Sequence, residues 1–212
     1  MHVMRSIMLA LGVALVVLTA PLSGPGDSAV LPRFVMNPGS GAGDLTARTT
    51  EAQVVKRFGR RNVLRTSVPI GQGEEEPGTV VFPRDPRQTI VILWKSQSVR
   101  VSPKHARVRG DESAWILAPG IRLGLSLQDL EALNGGPFTL TGFGDAYEGT
   151  VLSWDRGALD LALGAASRVA VRLAPSPTER PAAAAFVGSQ EFRSAVMRDL
   201  NPRVYEIAID FD

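Results

Sequence analysis

The chain has 212 residues, a formal net charge of +2 and no cysteine. Disulfides, thiol nucleophiles, thiolate metal sites and a lipidated cysteine behind a signal sequence are therefore excluded. The pI of about 9.4 reflects one or two surplus arginines in a chain with few groups that titrate between pH 7 and 9. Without a dominant cluster of basic residues, the composition does not indicate a nucleic-acid-binding protein.

Residues 1–26 have the pattern of a secretory signal peptide. Arg5 precedes an uncharged apolar run, Ile7 to Thr19, which is too short to span a bilayer comfortably. Gly26 is the favoured cleavage point. An uncleaved anchor is the alternative, and it would be the only membrane contact. The preference for Arg over Lys is typical of a GC-rich bacterial genome, so the periplasm or the external medium is the expected location.

Residues 27–48 are rich in Pro, Gly and Ser and predict a flexible tether, within which Leu31 to Met36 is a candidate edge strand. A helix is then predicted from Thr50, with Gln53 at the capping-box position and Gly59 as its end. The basic run "KRFGRR", Lys56 to Arg61, lies at the end of this helix. Cations there complement the helix dipole, an interpretation we favour over phosphate binding.

The β-branched runs Thr79 to Phe82 and Thr89 to Trp94 flank a Pro-rich turn and predict a hairpin. The preceding stretch "GQGEEEPG" places Glu74, Glu75 and Glu76 in a solvated acidic loop. Three consecutive glutamates point in different directions, so they do not form a simple calcium site. They are instead candidate contacts for a binding partner.

A second helix is predicted from Ser126, with Asp129 at its capping-box position and Leu127, Leu130 and Leu133 as its buried stripe. The remaining elements are predicted in chain order from composition and periodicity. They are two extended segments on either side of Gly110-Asp111, strands at 139–143, 149–154 and 158–163 with a turn at 155–157, a strand at 167–174, an exposed loop at 175–185, a helix from Ser189 and a closing strand at 203–211.

Two segments of the chain share an order of features. In each, a capped helix that meets a glycine is followed by Gly-Thr-Val, at Gly78–Val80 and again at Gly149–Val151. The predicted fold is therefore α+β: an antiparallel sheet with short helices on one face, all within residues 49–212. Tandem helix-then-hairpin units occupy about 49–98 and 121–173, and a C-terminal helix and strand occupy 189–211.

The segments "RFGRRNV", "GEEEPGTVVFPRDP" and "RLGLSLQDLEALNGGPF" resemble a group of uncharacterised exported bacterial proteins. The resemblance covers roughly Lys56 to Trp154. After Gly144 this chain departs from that group, with Asp145-Ala146-Tyr147-Glu148 in place of Trp-Asp-Tyr-Gly. The stretch "GLSLQDLEALNGGP" is more distantly similar to small lipoproteins of outer-membrane assembly and to the tandem units of β-lactamase-inhibitor-type proteins. These resemblances imply helices on an antiparallel sheet, and binding rather than catalysis.

The sequence offers little for catalysis, and no catalytic, cofactor-binding or metal-binding residue is assigned. His105 is the one histidine beyond the N-terminal segment, and its sequence neighbours are basic, so a surface or structural role is favoured. Gly142-Phe143-Gly144 lacks the third glycine of a dinucleotide fingerprint and precedes a predicted strand rather than a helix.

The function we expect is non-enzymatic binding of another envelope or secreted protein. The candidate contacts are Glu74 to Glu76 together with Asp145, Tyr147 and Glu148, because the second group forms an acidic loop with an aromatic side chain. The alternative is a carboxylate-dependent hydrolase of envelope glycans that uses Glu148 and Asp155. A third possibility is a purely structural domain.

Overall fold

The chain folds mainly as antiparallel β-sheets accompanied by a few short helices. The computed structural model describes residues 34–71, 73–144, 149–163 and 168–211, which belong to one compact unit that spans Leu31–Asp212. The signal peptide predicted at residues 1–26 lies outside the described residues. Within them, no helix has both the length and the apolar composition needed to cross a membrane.

The helices are α1 (Glu51–Phe58), α2 (Leu127–Asn134), α3 (Ala158–Leu163) and α4 (Arg180–Ala183). The strands are β1 (Val35–Asn37), β2 (Gly41–Ala42), β3 (Val63–Gly71), β4 (Glu74–Val81), β5 (Ile90–Ser96), β6 (Val101–Arg109), β7 (Ile116–Leu117), β8 (Ile121–Arg122), β9 (Thr139–Thr141), β10 (Val151–Ser153), β11 (Val169–Ala174), β12 (Glu191–Arg193) and β13 (Arg203–Asp210).

A six-stranded sheet in the order β11-β13-β6-β5-β4-β3 forms the main layer, and all its neighbours are antiparallel. The predicted hairpin is confirmed, since Val81 of β4 pairs with Ile90 of β5. The predicted C-terminal strand is confirmed as β13, which lies between β11 and β6. The last strand of the chain thus joins the β3–β6 meander to β11.

Two smaller sheets complete the strand arrangement, in the orders β10-β9-β12 and β2-β1-β7-β8. In the second of these, β1 and β7 run parallel. A single antiparallel bridge between Thr150 and Arg172 connects the three-stranded sheet to β11 of the main sheet. The backbone N–H of Leu173 donates to the carbonyl of Gly149 at the same place, at 3.0 Å.

The segment predicted as a tether, residues 27–48, differs from the prediction over its described part. Residues 34–48 belong to the folded unit, where they form β1 and β2 and bury Met36, Ala42 and Leu45 in the core. Strand β1 overlaps the segment predicted as an edge strand, Leu31 to Met36, only at its last two residues, and it lies between β2 and β7 rather than at an edge. Gly and Pro in this stretch shape tight turns between short strands, so composition alone did not distinguish it from a linker.

The two predicted helix starts are confirmed. Thr50 and Ser126 each accept from the backbone N–H three residues on, and Gln53 and Asp129 each return the bond to the backbone of the cap. Gly135 ends α2 in the left-handed conformation, with φ of 77°. The buried stripe of α2 is confirmed for Leu127 and Leu130, but Leu133 is 41% exposed, so that part of the prediction was wrong.

The strand predicted at residues 158–163 is wrong, because this segment is helix α3. The sequence "ALDLAL" alternates as a strand does, yet Leu159 and Leu163 are also spaced as neighbours on one helical face. Both are buried, whereas the intervening Leu161 is 89% exposed. The hairpin predicted for the second tandem unit is therefore absent from this place.

The helix predicted from Ser189 is also wrong. Residues 191–193 form β12, which pairs with β9, and Ser194–Met197 form a 3₁₀ turn. Ser194 is fully buried and its hydroxyl accepts from the backbone N–H of Phe138, so tertiary contacts override the local helical pattern. The predicted loop at 175–185 contains the short helix α4.

One hydrophobic cluster draws side chains from all three sheets and from all four helices. Trp94 of β5 is fully buried, and its indole N–H donates to Thr79 Oγ1 at 2.9 Å. Phe138 and Trp154 lie against each other, with ring centroids 5.2 Å apart. Because the elements share this core, each surface feature is held on a common rigid support.

The side chain of Asn134 links the end of α2 to the turn before α3 through hydrogen bonds. Its side-chain amide donates to the carbonyls of Trp154 and Gly136, and its oxygen accepts from the backbone N–H of Leu159. A Cβ at Gly157 would overlap this side chain. The Asn-Gly end of α2 therefore has a structural explanation: Asn134 organises the following turn.

Replacing Gly157 with Ala is expected to lower the free energy of unfolding by about 1–3 kcal/mol, because buried Asn134 cannot retreat without losing its hydrogen bonds. Chemical denaturation measures this loss. Gly136→Ala is the matched control, since a Cβ there meets nothing within 4 Å. Equal effects of the two substitutions would contradict the role given to Asn134.

Candidate functional site

The acidic run Glu74 to Glu76 does not form the solvated loop that the sequence predicts. All three residues belong to β4, and Glu76 is only 8% exposed. Its carboxylate accepts from Gln97 Nε2 at 2.7 Å and lies 3.3 Å from Lys104 Nζ. Glu75 accepts from the Ser67 hydroxyl at 2.5 Å across the hairpin. Glu74 and Glu75 remain exposed, whereas Glu76 is an internal ion-pair partner.

The second group of predicted contacts, Asp145, Tyr147 and Glu148, lies outside the described residues. Asp155, the other carboxylate of the alternative hydrolase, is described. It accepts from Thr139 Oγ1 at 3.0 Å and from Arg193 Nη1 at 2.7 Å. These two contacts explain Asp155 structurally: its carboxylate links the turn after β10 to β9 and β12.

His105 has a carboxylate partner that the sequence analysis missed. His105 on β6 and Asp210 on β13 are direct cross-strand neighbours, and the Nδ1–Oδ1 distance is 2.7 Å. They line an open cleft of about 330 Å³ together with Thr150, Val151 and Val169. The two side chains meet only because β6 and β13, which are far apart in the sequence, pair in the sheet. The residues next to His105 in the sequence therefore do not predict this carboxylate partner.

Two other buried carboxylates of the described chain, Glu206 and Glu131, are held by arginines. Glu206 accepts from Arg109 and Arg172, and Glu131 accepts from Arg198 and the Ser194 hydroxyl. Arg107 lies in the same cross-strand group as Glu206. Burial, reinforced by the charge of Arg109, lowers the pKa of Arg107. These groups cross-link strands and helices.

Glu51, the first residue of α1, is the acceptor of a similar network. It is 2% exposed, accepts from Thr79 Oγ1 and Arg65 Nε at 2.7 Å each, and lies 3.5 Å from Arg100 Nε. Burial by itself raises the pKa of Glu51. The hydrogen bonds from Arg65 and Thr79 and the nearby positive charges outweigh it, so the pKa lies below its usual value.

A concave groove with a volume of about 630 Å³ runs along α1. One wall is the segment after β2 and the other is the exposed side of the helix. The lining residues are Asp44, Leu45, Thr46, Arg48, Thr49, Gln53, Val54, Lys56, Arg57 and Phe58. The floor is apolar at Leu45 and Val54, and the rim is polar and mostly basic.

The rim of the groove carries more cationic side chains than carboxylates. Arg57 pairs with Asp44, the one carboxylate of the lining, with its Nε 2.7 Å from Oδ2. Arg48 and Lys56 have no carboxylate partner within the described part of the chain. Arg60 and Arg61 follow in the 3₁₀ turn after α1, are also exposed, and likewise lack a described acidic partner.

Helix geometry explains why these cations gather here. Lys56 and Arg57 occupy the last turn of α1, where positive charge complements the helix dipole, as the sequence predicts. Gly59, at φ of 84°, ends the helix, and exposed Arg60 and Arg61 follow it in sequence. We call the surface formed by the lining residues the α1 groove.

The described residues contain no group of three or more His, Asp or Glu side chains placed to hold a metal ion. The α1 groove itself presents hydroxyl, amide, guanidinium and ammonium groups, which bind anionic partners but supply neither a nucleophile–base pair nor a metal-ligand set. Comparison of the chain with protein-family models, curated proteins and solved structures gives no match.

Proposed function

We propose that this chain is an exported, non-enzymatic binding protein of the bacterial periplasm or cell surface, and that its α1 groove holds an acidic segment of another envelope or secreted protein. The observation that carries the proposal is the set of cations without acidic partners around a 630 Å³ groove. Export rests on the signal-peptide pattern of residues 1–26.

The composition of the groove favours a polypeptide over a small ion. Its length follows two turns of helix, and apolar Leu45, Val54 and Phe58 lie among the polar groups. An acidic segment with interspersed apolar residues would satisfy both kinds of surface. Such a complex forms quickly by electrostatic attraction and weakens as salt screens the charges.

The remaining candidate contacts extend this proposal. Glu74 and Glu75 are exposed near the tip of the β3–β4 hairpin and present charge of the opposite sign. We retain them as secondary contacts, along with Asp145, Tyr147 and Glu148. Glu76 is not retained, because Gln97 and Lys104 already occupy its carboxylate.

We also infer that α1–β3–β4 and α2–β9–β10 are related units, within about 49–98 and 121–173. Both helices have a capping box, and each is followed by a glycine. Gly78–Val80 lies inside β4, the second strand of its unit, and Gly149-Thr150 leads directly into β10, the second strand of the other. This order supports a duplicated helix–strand–strand arrangement.

Reversing two groove charges with Arg48→Glu and Lys56→Glu is expected to reduce partner recovery at least about tenfold, because attraction becomes repulsion. The measurement is quantitative photo-cross-linking in envelope fractions, with a photoreactive residue at exposed position 52 of the full chain. Raising the salt concentration should weaken recovery by the wild-type chain in the same assay.

The matched control is Arg84→Glu with Arg87→Glu, which changes the net charge equally at two exposed turn residues that do not line the groove. Recovery should be almost unchanged. Equal losses in the two double variants would contradict a specific groove. If the groove variants lose only the binding of an anionic polymer such as polyphosphate, and no protein is recovered at position 52, the partner is not a polypeptide.

A further inference from the structure

Three neighbouring strands of the main sheet share one face that points away from the hydrophobic core. Residues 105–109 of β6 pair with 206–210 of β13, and residues 169–172 of β11 pair with 206–209 of β13, in both cases without a bulge. Side chains therefore alternate strictly between the two faces of the sheet. The set that faces the core is Ala106, Val108, Val171, Ile207 and Ile209.

The opposite set forms three cross-strand rows, of which the first and the third are charged. In the first row His105 lies opposite Asp210, and in the third Glu206 lies between Arg109 and Arg172. Side-chain bonds join the members of each row: His105 Nδ1 is 2.7 Å from Asp210 Oδ1, and Arg172 Nη1 is 2.7 Å from Glu206 Oε1. These bonds confirm that the paired side chains share a face.

The middle row consists of Arg107, Ala208 and Ala170. Two alanines between rows of longer side chains leave a depression in the sheet, and both alanines line the open cleft of about 330 Å³ that contains His105. Leu152 contributes to the wall of the cleft on the β10 side. The volume is at the lower end of the range found for small-molecule sites in proteins.

Arg107 lies at the end of the middle row and has no bonded partner. It is directly opposite Ala208 and two positions after His105, and both of these neighbours line the cleft. Its side chain is 8% exposed, and none of its three nitrogens has a hydrogen-bond partner in the described part of the chain. Only Nε is fully enclosed. A guanidinium this deeply buried is ordinarily paired with an anion.

The carboxylates on this face are already engaged by other residues. Asp210 is bonded to His105, and Glu206 is shared by two other arginines. Burial, together with the positive charge of Arg109, lowers the pKa of Arg107. The positive charge of Arg107 is therefore incompletely compensated within the chain, and an anion from outside would compensate it.

We propose that the cleft beside Arg107 binds a small organic carboxylate with an apolar body. The guanidinium of Arg107 binds the carboxylate, because its planar fork matches two carboxylate oxygens. The apolar body lies over Ala208 and Ala170, toward Leu152. This site shares no lining residue with the α1 groove and does not depend on the function proposed for that groove.

Charge and lining both favour this class of ligand. The buried groups of the cluster are two cations, Arg107 and Arg172, and one anion, Glu206, so a single negative charge balances them. Arg168 adds a cation to the lining of the cleft. Apart from the polar side chains, the lining is aliphatic, with Val151, Leu152, Val169, Ala170 and Ala208. An inorganic anion would leave this aliphatic surface unused.

Benzoate is a suitable probe, and calorimetric titration of the purified full chain measures its binding. It should bind saturably with a dissociation constant of about 1 mM or lower, as expected for a ligand of this size. Benzamide has the same shape without the charge and should bind at least about tenfold more weakly. Equal affinities for the two compounds would overturn the proposal, and so would the absence of saturation by benzoate at about 10 mM.

Two variants locate the site. Arg107→Gln should weaken benzoate binding at least about tenfold, because it removes the cation that holds the carboxylate. Ala170→Leu leaves Arg107 in place but fills the depression, and it should weaken binding several-fold. Arg84→Gln is the matched control, since it removes the same charge from an exposed turn residue outside the cleft and should leave the affinity unchanged.

Urea denaturation of the same proteins supplies a second readout. Benzoate should raise the midpoint of the wild type and of Arg84→Gln, because it binds only the folded chain, and should not raise that of Arg107→Gln. Wild-type affinity in either Arg107→Gln or Ala170→Leu would overturn the proposal. Inorganic phosphate that displaces benzoate at equal concentration would also overturn it, because the site would then bind anions without using the aliphatic surface.

Discussion

Replacing Glu206 with Gln is expected to lower the free energy of unfolding by about 3–5 kcal/mol at pH 7, because it removes the anion from a buried cluster of cations. Glu206 is 1% exposed and accepts from Arg109 and from Arg172, in the latter case at 2.7 Å. Arg107, 8% exposed, lies beside them. Without the carboxylate, buried Arg107 and Arg172 lack the anion that offsets their charges, and half-exposed Arg109 loses its partner.

Urea denaturation of the wild-type chain and the Glu206→Gln variant measures this effect, with equal slopes indicating that the unfolded states are comparable. Asp111→Asn is the control, because Asp111 is exposed in a turn and should change stability by less than about 0.5 kcal/mol. A loss below about 1 kcal/mol for Glu206→Gln would show that the arginines find other partners. The central strands would then not depend on this ion cluster.

The second large effect is the pH dependence of the Glu51 network. The pKa of Glu51 is lowered in the folded protein, so ionised Glu51 adds stability above its unfolded pKa of about 4.3. This contribution is lost as the pH falls through the lower folded-state pKa. The wild-type chain should therefore lose stability on acidification below about pH 4.3, in part through this residue.

The variant Glu51→Gln should be about 3 kcal/mol less stable than wild type at pH 7, because Arg65 and Arg100 lose their anion. The difference between the two proteins should shrink as the pH falls, since protonated Glu51 resembles Gln. Hydrogen bonds from Ser126 also lower the pKa of Asp129, so acid sensitivity has other sources. The difference curve isolates Glu51, and a gap that stays constant from pH 7 to pH 3 would contradict the assignment.

The local signals of the sequence were most reliable where the interaction itself is local. The capping boxes at Thr50 and Ser126 involve residues three positions apart, so their spacing is visible in the sequence. The same is true of the left-handed end at Gly135. The β4–β5 hairpin followed from two β-branched runs around a Pro-rich turn.

Local sequence patterns gave wrong secondary structure where the same pattern is compatible with both a helix and a strand. Alternating leucines at residues 158–163 suit a strand and also place Leu159 and Leu163 on one helical face. The pairing of β12 with β9, together with the buried hydroxyl of Ser194, prevented the helix predicted from Ser189. In both places the surrounding core selected the conformation, and a core is assembled from segments that are distant in sequence.

The candidate contact residues also combine features visible in the sequence with features that depend on the tertiary structure. The basic run Lys56 to Arg61 is visible in the sequence, but the groove beside it depends on the segment after β2, which composition predicted to be a tether. Glu76 is predicted as exposed because its neighbours are acidic. Only the folded hairpin brings Gln97 and Lys104 to its carboxylate.

By itself, the sequence determined the starts of α1 and α2, the main hairpin, the closing strand and the absence of cysteine chemistry, because each depends on composition or on neighbours within a few positions. The tertiary structure decided which charges are buried and which remain exposed. His105 and Asp210 are 105 positions apart, yet they share a hydrogen bond of 2.7 Å. Such pairs exist only because strand pairing converts distant positions into neighbours, and no local pattern encodes that register.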